Sequence, residues 1–203
     1  MTKSRIGRYL VGAALIAGLA GCESSARQDP LLVRGSTDDI VFAQVPIFRD
    51  RPVDESIRGS LELTDYAVAL HNAGLLETLQ RAGPYTVFAV PNAPLEAEQR
   101  ATSGQLLATA DHASLRRLMQ YTIVPGRYTE ARLRRMIAKR GGPIGLTTLG
   151  GHDVLTVSLE PDTQELLLGD PQGRINRLWL ADVPQSNGVL YATQSLLVPE
   201  APR

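Results

Sequence analysis

The chain has 203 residues, with 21 lysines and arginines against 21 aspartates and glutamates, a formal net charge of zero. That balance excludes the strongly basic surface of a general nucleic-acid binder. The single cysteine has no intrachain partner, which excludes an intramolecular disulfide framework, and the length suits one domain with a sizeable core.

Residues 1–21 have the anatomy of an export signal. Lys3, Arg5 and Arg8 make a positive start, and "LVGAALIAGLA" from Leu10 is an apolar run. A bilayer span needs roughly 20 such residues, so this run is too short to cross one. It ends in Leu19-Ala20-Gly21-Cys22, which resembles the bacterial lipobox. The resemblance implies that Cys22 carries the lipid and becomes the first residue of the mature chain. Each buried acyl methylene adds about 0.8 kcal/mol to membrane attachment. Glu23 rather than aspartate follows the cysteine. By the Gram-negative sorting pattern this implies the outer membrane, on its periplasmic or surface side, if the source is Gram-negative. Loss of Lys3, Arg5 and Arg8 leaves the mature chain near −3.

Residues 22–37, with Cys22 at their head, are polar and aperiodic and contain Pro30 and Gly35, the pattern of a flexible tether. Fifteen or so residues give a typical reach of roughly 20 Å. The folded domain is expected over 38–199, followed by a short tail at 200–203.

Tyr66, Ala69, Leu70 and Ala73 recur with helical spacing, and Gly74 stops that run. Leu75, Leu76 and Leu79 begin a second short helix, which ends at Gly83-Pro84. "YTVFAV", residues 85–90, is β-branched and aromatic and reads as a buried strand. Asn92 before Pro94 reads as a helix start. Leu115, Leu118 and Met119 mark another amphipathic helix, with Asp111 or Ser114 as its cap. Tyr121 to Val124 reads as a central strand, with Pro125-Gly126 in the middle of a type II turn. Leu133, Met136 and Ile137 give the next helix an apolar face. Beyond it, "HDVLTVSLEPDTQELLLGDPQGRINRLWLADV" breaks into three strand-like runs, an antiparallel meander. "SNGVLYATQSLLVP" reads as an Asn187-Gly188 turn with two more strands. Helices first and strands later place the domain in the α+β class.

Several stretches together resemble a known family. "AGLLETLQRAGPYTVFAVPNAPLE" is similar to the first fasciclin-domain signature, AGL-x-x-TL followed by GPFTVFAPTDxAF. "YTIVPGRYT" is similar to its central YHVVPGxYT, and "ADVPQSNGVLYATQSLLVP" to its closing ADIxxSNGVIHVIDxVLLP. The spacer "GGPIGLTTLGGHDVLTVSL" also fits the family's usual link. The resemblance implies a fasciclin-like fold, a helical cap packed on a wedge of two small, mostly antiparallel β-sheets. It also implies an interaction or adhesion module rather than an enzyme. Tyr121, Thr122 and Ile123 of the central motif become candidate interaction residues. So do Asp182 and Val183, where the family has an adhesive Asp-Ile pair. The family histidine after the tyrosine is Thr122 here, and the histidine of the closing motif is Tyr191.

No catalytic constellation stands beside these motifs. The histidines, His71, His112 and His152, sit at a helix end, a helix start and a glycine turn, without a G-x-S-x-G or comparable partner. No H-E-x-x-H, calcium loop or phosphate-binding glycine loop occurs, so no metal, nucleotide or other cofactor is expected. Trp179 reads as a partly buried packing residue in a strand. Arg127, Arg132, Arg134, Arg135, Lys139 and Arg140 gather around Glu130, and Glu130 and Arg134 suit an i, i+4 pair. That cationic face has two readings. One is a solvated helix surface; the other is a docking patch for envelope polyanions or anionic lipid headgroups.

The function expected from the chain is a lipid-anchored, non-catalytic module of the cell envelope. It would bind the membrane through its N-terminal lipid, and an envelope or extracellular protein, glycan or matrix polymer through its surface. The alternative is a carrier or sensor of a small apolar ligand, held in a cleft between helical cap and sheets.

Overall fold

The apolar runs and the amphipathic stretches sort into two structural populations. A computed structural model describes residues 50–102, 104 and 112–200. In chain order these form α1 (Val53–Gly59), a 3-10 turn at Leu61–Leu63, α2 (Thr64–Asn72), α3 (Leu76–Leu79), β1 (Tyr85–Ala89) and α4 (Asn92–Ala101). There follow α5 (His112–Tyr121), β2 (Ile123–Pro125), α6 (Glu130–Arg140), β3 (Ile144–Thr147), β4 (Val154–Leu159), β5 (Leu166–Gly169), β6 (Ile175–Gln185) and β7 (Gly188–Thr193). Cys22, the tether and Asp111 lie outside the described residues.

The strands follow one continuous order, β2-β1-β7-β6-β5-β4-β3. β1 runs parallel to β7, and every other neighbouring pair is antiparallel. The expected antiparallel meander is therefore present as β4, β5 and β6, whereas the two separate sheets are not. The reason lies in β6, whose 11 residues pair with β5 at one end and β7 at the other. The far ends of the order approach each other, because the Leu149 N–H donates to the Ile123 carbonyl at 2.7 Å. The sheet is consequently mixed and nearly barrel-shaped.

Strands β1 and β7 are buried on both faces, which is why they read as unbroken apolar runs. Val87 and Ala89 of β1, with Leu190 and Ala192 of β7, face the helical cap. There they meet Tyr66, Leu70, Leu115 and Met119, all buried. Helix α2 has nine residues, too few to persist alone. It holds because each large side chain it buries contributes about 1.5–3 kcal/mol. Phe88 and Tyr191 point the other way and stack, with ring centroids 5.1 Å apart. Around them lie Leu146, Leu155, Val157 and Leu168 from the meander and Leu133 and Ile137 from α6. Thr129 caps α6 by accepting the Arg132 N–H at 3.3 Å, and Gly141 ends it at φ +75°.

Two asparagines act far from their place in sequence. The Asn92 side chain does not cap its own helix. Its Oδ1 accepts the Asp65 N–H at 3.0 Å, in the first turn of α2, and its Nδ2 donates to the Leu61 carbonyl at 2.8 Å. Asn187 lies in the two-residue loop between Gln185 and Gly188, which pair directly. Its Oδ1 accepts the Val53 N–H at 2.9 Å, in the first turn of α1, which has no side-chain cap of its own. Its Nδ2 donates to the Leu79 and Arg81 carbonyls at 2.7 and 2.9 Å, and its carbonyl accepts the Tyr85 N–H at 2.9 Å. One buried residue therefore ties α1, α3, β1 and the β6–β7 hairpin together. Gly188 follows because a Cβ there would run into the Tyr85 carbonyl.

Four local expectations need correction. Tyr121 closes α5 rather than opening a strand, and β2 stands at the end of the order rather than at its centre. Pro125 and Gly126 do not form a type II turn. Pro125 still pairs with Tyr85, and Gly126 has φ +117° with its N–H donated to the Pro84 carbonyl at 2.7 Å. The closing segment adds one strand instead of two, because Asn176 diverts the chain after Thr193. Its Oδ1 accepts the N–H groups of Gln194 and Ser195, and its Nδ2 donates to the Ser195 carbonyl. Ser114 sits inside α5 and does not precede it.

Replacing Asn187 with alanine removes three buried side-chain hydrogen bonds and strands the groups they served. The Asn187→Ala chain is expected to lose about 3 kcal/mol of unfolding free energy, with little change in the urea slope. Equilibrium urea unfolding of the two proteins checks this, and a loss under about 1 kcal/mol would contradict the tie.

Candidate functional site

The central-motif residues turn inward. Tyr121, Thr122 and Ile123 are fully buried, so none of them presents a surface to a partner. Tyr66 donates its hydroxyl proton to Thr122 Oγ1 at 2.6 Å, and Thr122 donates in turn to the Met119 carbonyl at 2.8 Å. Tyr121 donates to the Val154 carbonyl at 3.2 Å. The threonine in the family's histidine position therefore closes a buried hydroxyl relay rather than offering a base.

The cationic face is also smaller than its sequence suggests. Arg127 is spent on the β6–β7 hairpin: its guanidinium donates to the Gln185, Ser186 and Gly188 carbonyls at 2.7–3.1 Å. Arg132 stacks 4.5 Å over the Tyr128 ring and donates to the Arg127 carbonyl at 2.8 Å. Arg134 pairs with Glu130 at 2.8 Å, the expected i, i+4 pair, and donates to the Gln164 carbonyl at 2.7 Å. Of the six, only Arg135, Lys139 and Arg140 make no hydrogen bond, ion pair or ring contact among the described residues, and all three are exposed. Three of the six charges hold the fold, and three are available to a ligand.

The surface feature that sequence reasoning missed is a groove of about 340 Å³ between α6 and the β5–β6 strands. Its walls are Leu166 of β5, Leu178, Trp179, Ala181 and Asp182 of β6, and Glu130, Arg134 and Glu165 at the rim. Four of five consecutive β6 residues line one hollow, which regular alternation forbids. Two bulges explain it. Leu178 pairs with Thr193, Leu180 with Ala192 and Val183 with Leu190, so β6 carries an extra residue in each interval. Asp182 takes φ +56° in the second bulge, a conformation that aspartate tolerates better than most residues. Val183 is half-buried and packs toward the cap-side core. Trp179 is half-buried, as its sequence suggests, and it packs on that same core while lining the groove.

The groove is framed by charge. Arg177 donates to Glu165 at 2.7 Å and to Glu160 at 2.8 Å, holding the β4–β5 loop beside the Glu130–Arg134 pair. Tyr191 lies beneath, donating to the Tyr128 carbonyl at 2.8 Å. Its hydroxyl is held far above the usual tyrosine range, first by burial and then by the negative charges of Asp182 and Glu130. Tyr66 and Tyr121 are raised as well, again chiefly by burial.

His71, His112 and His152 stand exposed at the positions their sequence context implies. Among the described residues no group of three histidine, cysteine, aspartate or glutamate side chains is placed to hold a metal ion. No helix among them is long and apolar enough to cross a membrane.

The described residues thus form a mixed, nearly closed sheet under a helical cap, with a groove on the flank of the sheet. Residues 61–199 match the model of the fasciclin domain, and the chain belongs to that family. It is 29% identical over 151 residues to mouse stabilin-1, covering 73% of this chain but only 5% of stabilin-1. It is 27% identical over 147 residues to protein sll1483 of Synechocystis, covering 71% of this chain and 72% of that protein. Its fold is similar to a pair of FAS1 domains from the insect cell adhesion molecule fasciclin I. The TM-score is 0.64 at 13% identity, over 84% of this chain and 67% of that one.

The three raised tyrosines fix a pH dependence. Below pH 10 they carry their protons in both folded and unfolded chains. Above pH 10 the unfolded chain releases protons that the folded chain keeps, so stability falls as pH rises. Titration followed at 295 nm should show Tyr66, Tyr121 and Tyr191 ionising only together with loss of the fold. Ionisation of all tyrosines in a still-folded protein would contradict their burial.

Proposed function

We propose that the protein is a non-catalytic interaction or adhesion module of the cell envelope, lipid-anchored through Cys22. It binds a protein, glycan or matrix polymer through the flank of its sheet. The observation that carries this reading is the placement of open space. The cap and sheet meet through packed side chains, Tyr66, Leu70, Leu115 and Met119 against Val87, Ile123 and Leu190. The groove instead opens outside that core, with charged rims and a tryptophan wall. A surface hollow of this kind suits contact with another molecule, whereas a carrier needs an enclosed apolar chamber. The adhesive role of fasciclin I supports the same reading.

The location rests on the sequence before the described residues. The h-region, the lipobox-like Leu19 to Cys22 and Glu23 favour an exported lipoprotein, held at the outer membrane if the source is Gram-negative. The polar stretch after Cys22 supplies the reach from the bilayer.

Two measurements test these points. Native mass spectrometry of protein extracted from its own cells should give the mass of the polypeptide and its lipid alone. A small molecule that co-purifies in repeated preparations would favour the carrier reading instead. Cys22→Ala should move the protein from the membrane to the soluble fraction, and a variant that stays membrane-bound would refute the anchor.

A further inference from the structure

We infer that the outward face of α6 lies against the anionic phospholipid headgroups of the bilayer that holds the chain's anchor. The inference rests on the lipid-anchor reading of Cys22 and extends it, from attachment by a lipid to an oriented contact. Arg132, Arg135 and Lys139 share one exposed face of α6 by helical spacing, and Arg140 extends it at the C-terminal end. None of the four has an acid for partner among the described residues. The one acid of the helix, Glu130, pairs with Arg134 on the groove side. These charges do not serve the helix itself. Arg135 has Arg132 three residues before it and Lys139 four residues after it, and like charges at those spacings destabilise a helix. Lys139 and Arg140 complement the negative end of the helix, but Arg132 stands in the first turn, at the positive end. Cations along the whole face suit an extended anionic surface, to which each exposed lysine or arginine adds attraction.

The place of this face in the fold favours a bilayer over a free polymer. The Ser186 N–H donates to the Arg51 carbonyl at 3.0 Å, close to the point where the chain from Cys22 enters the domain. Arg127, three residues before α6, donates to the Ser186 carbonyl at 3.0 Å. The incoming chain and the start of α6 are therefore braced on the same loop, and an anchor attached there keeps α6 within reach of the headgroups. Ala131 and Ala138, both exposed, are short, so a flat surface can approach the helix between the long cationic side chains. Arg135 lies about 100° around the helix from Arg134, which lines the groove. The groove consequently opens beside the bilayer contact and not beneath it.

Cys22 is the only cysteine, so the full chain carrying Cys22→Ala takes one environment-sensitive fluorophore wherever a new cysteine is placed. Ala138→Cys puts it on the cationic face, and Val68→Cys puts it on the helical cap. The labelled chains are titrated with vesicles of phosphatidylcholine, with and without phosphatidylglycerol. The label at position 138 should brighten with the anionic vesicles, stay unchanged with phosphatidylcholine alone and lose its response in high salt. The label at position 68 should not respond. Arg135→Gln, Lys139→Gln and Arg140→Gln together should weaken vesicle binding at least about tenfold at nearly unchanged melting temperature. No response at position 138, an equal response to neutral vesicles, a response as large at position 68, or a triple variant that binds like the parent would each overturn the contact. Tighter binding to soluble dextran sulfate than to anionic vesicles would overturn it too, by giving the face to a polymer. The chain in this assay carries no lipid, so none of these outcomes touches the anchor, which the fractionation of Cys22→Ala judges separately.

Discussion

The Asn187 side chain is the contact on which the arrangement depends. It lies in a two-residue loop, yet it supplies a hydrogen bond to the start of α1 and two to the chain leaving α3. The β6–β7 hairpin is thereby fixed against the helical cap, while Gly188 lets β1 approach β7 closely. Arg127 holds the same hairpin from the opposite side. With the hairpin pinned at both flanks, β6 is committed to one register at its β7 end. The two extra residues must then be absorbed as bulges further along the strand. Those bulges make the groove.

The groove is thus a consequence of topology and not of a loop insertion. A strand that serves two halves of a bent sheet has to change direction, and bulges are the usual means. Here they turn Trp179 and Asp182 into the same hollow while leaving the core behind them filled. The charge around it follows from α6 and the β4–β5 loop, which Arg134 and Arg177 bind to one another's neighbours.

Much of the fold was legible in the residues because local pattern and tertiary role coincide. "YTVFAV" and "GVLYAT" read as strands because both faces of β1 and β7 are buried. The face of α6 read correctly because Leu133 and Ile137 pack at helical spacing. The fasciclin motifs brought the family within reach. What stayed hidden were side chains that act at a distance. Asn92 and Asn187 look like a local cap and a local turn, and they cap helices elsewhere in the chain. The arginine cluster looks like one patch, but Arg127, Arg132 and Arg134 spend their donors on backbone carbonyls, an aromatic ring and Glu130. Trp179 and Asp182 belong to one site only because of bulges, and strand periodicity cannot register an extra residue. Tyr121, Thr122 and Ile123 carry a family motif whose role here is packing and a buried hydroxyl relay.

The central claim is that contact occurs at the bulged flank of the sheet. It is tested most directly by photo-crosslinking in intact cells, with the reactive amino acid placed at Ala181 beside the groove or at Val68 on α2. Val68 is 53% exposed on the helical cap, so both positions face solvent without sharing a surface. The account predicts a discrete adduct from Ala181 and none from Val68. An adduct from Val68 alone, or none from Ala181, would contradict it.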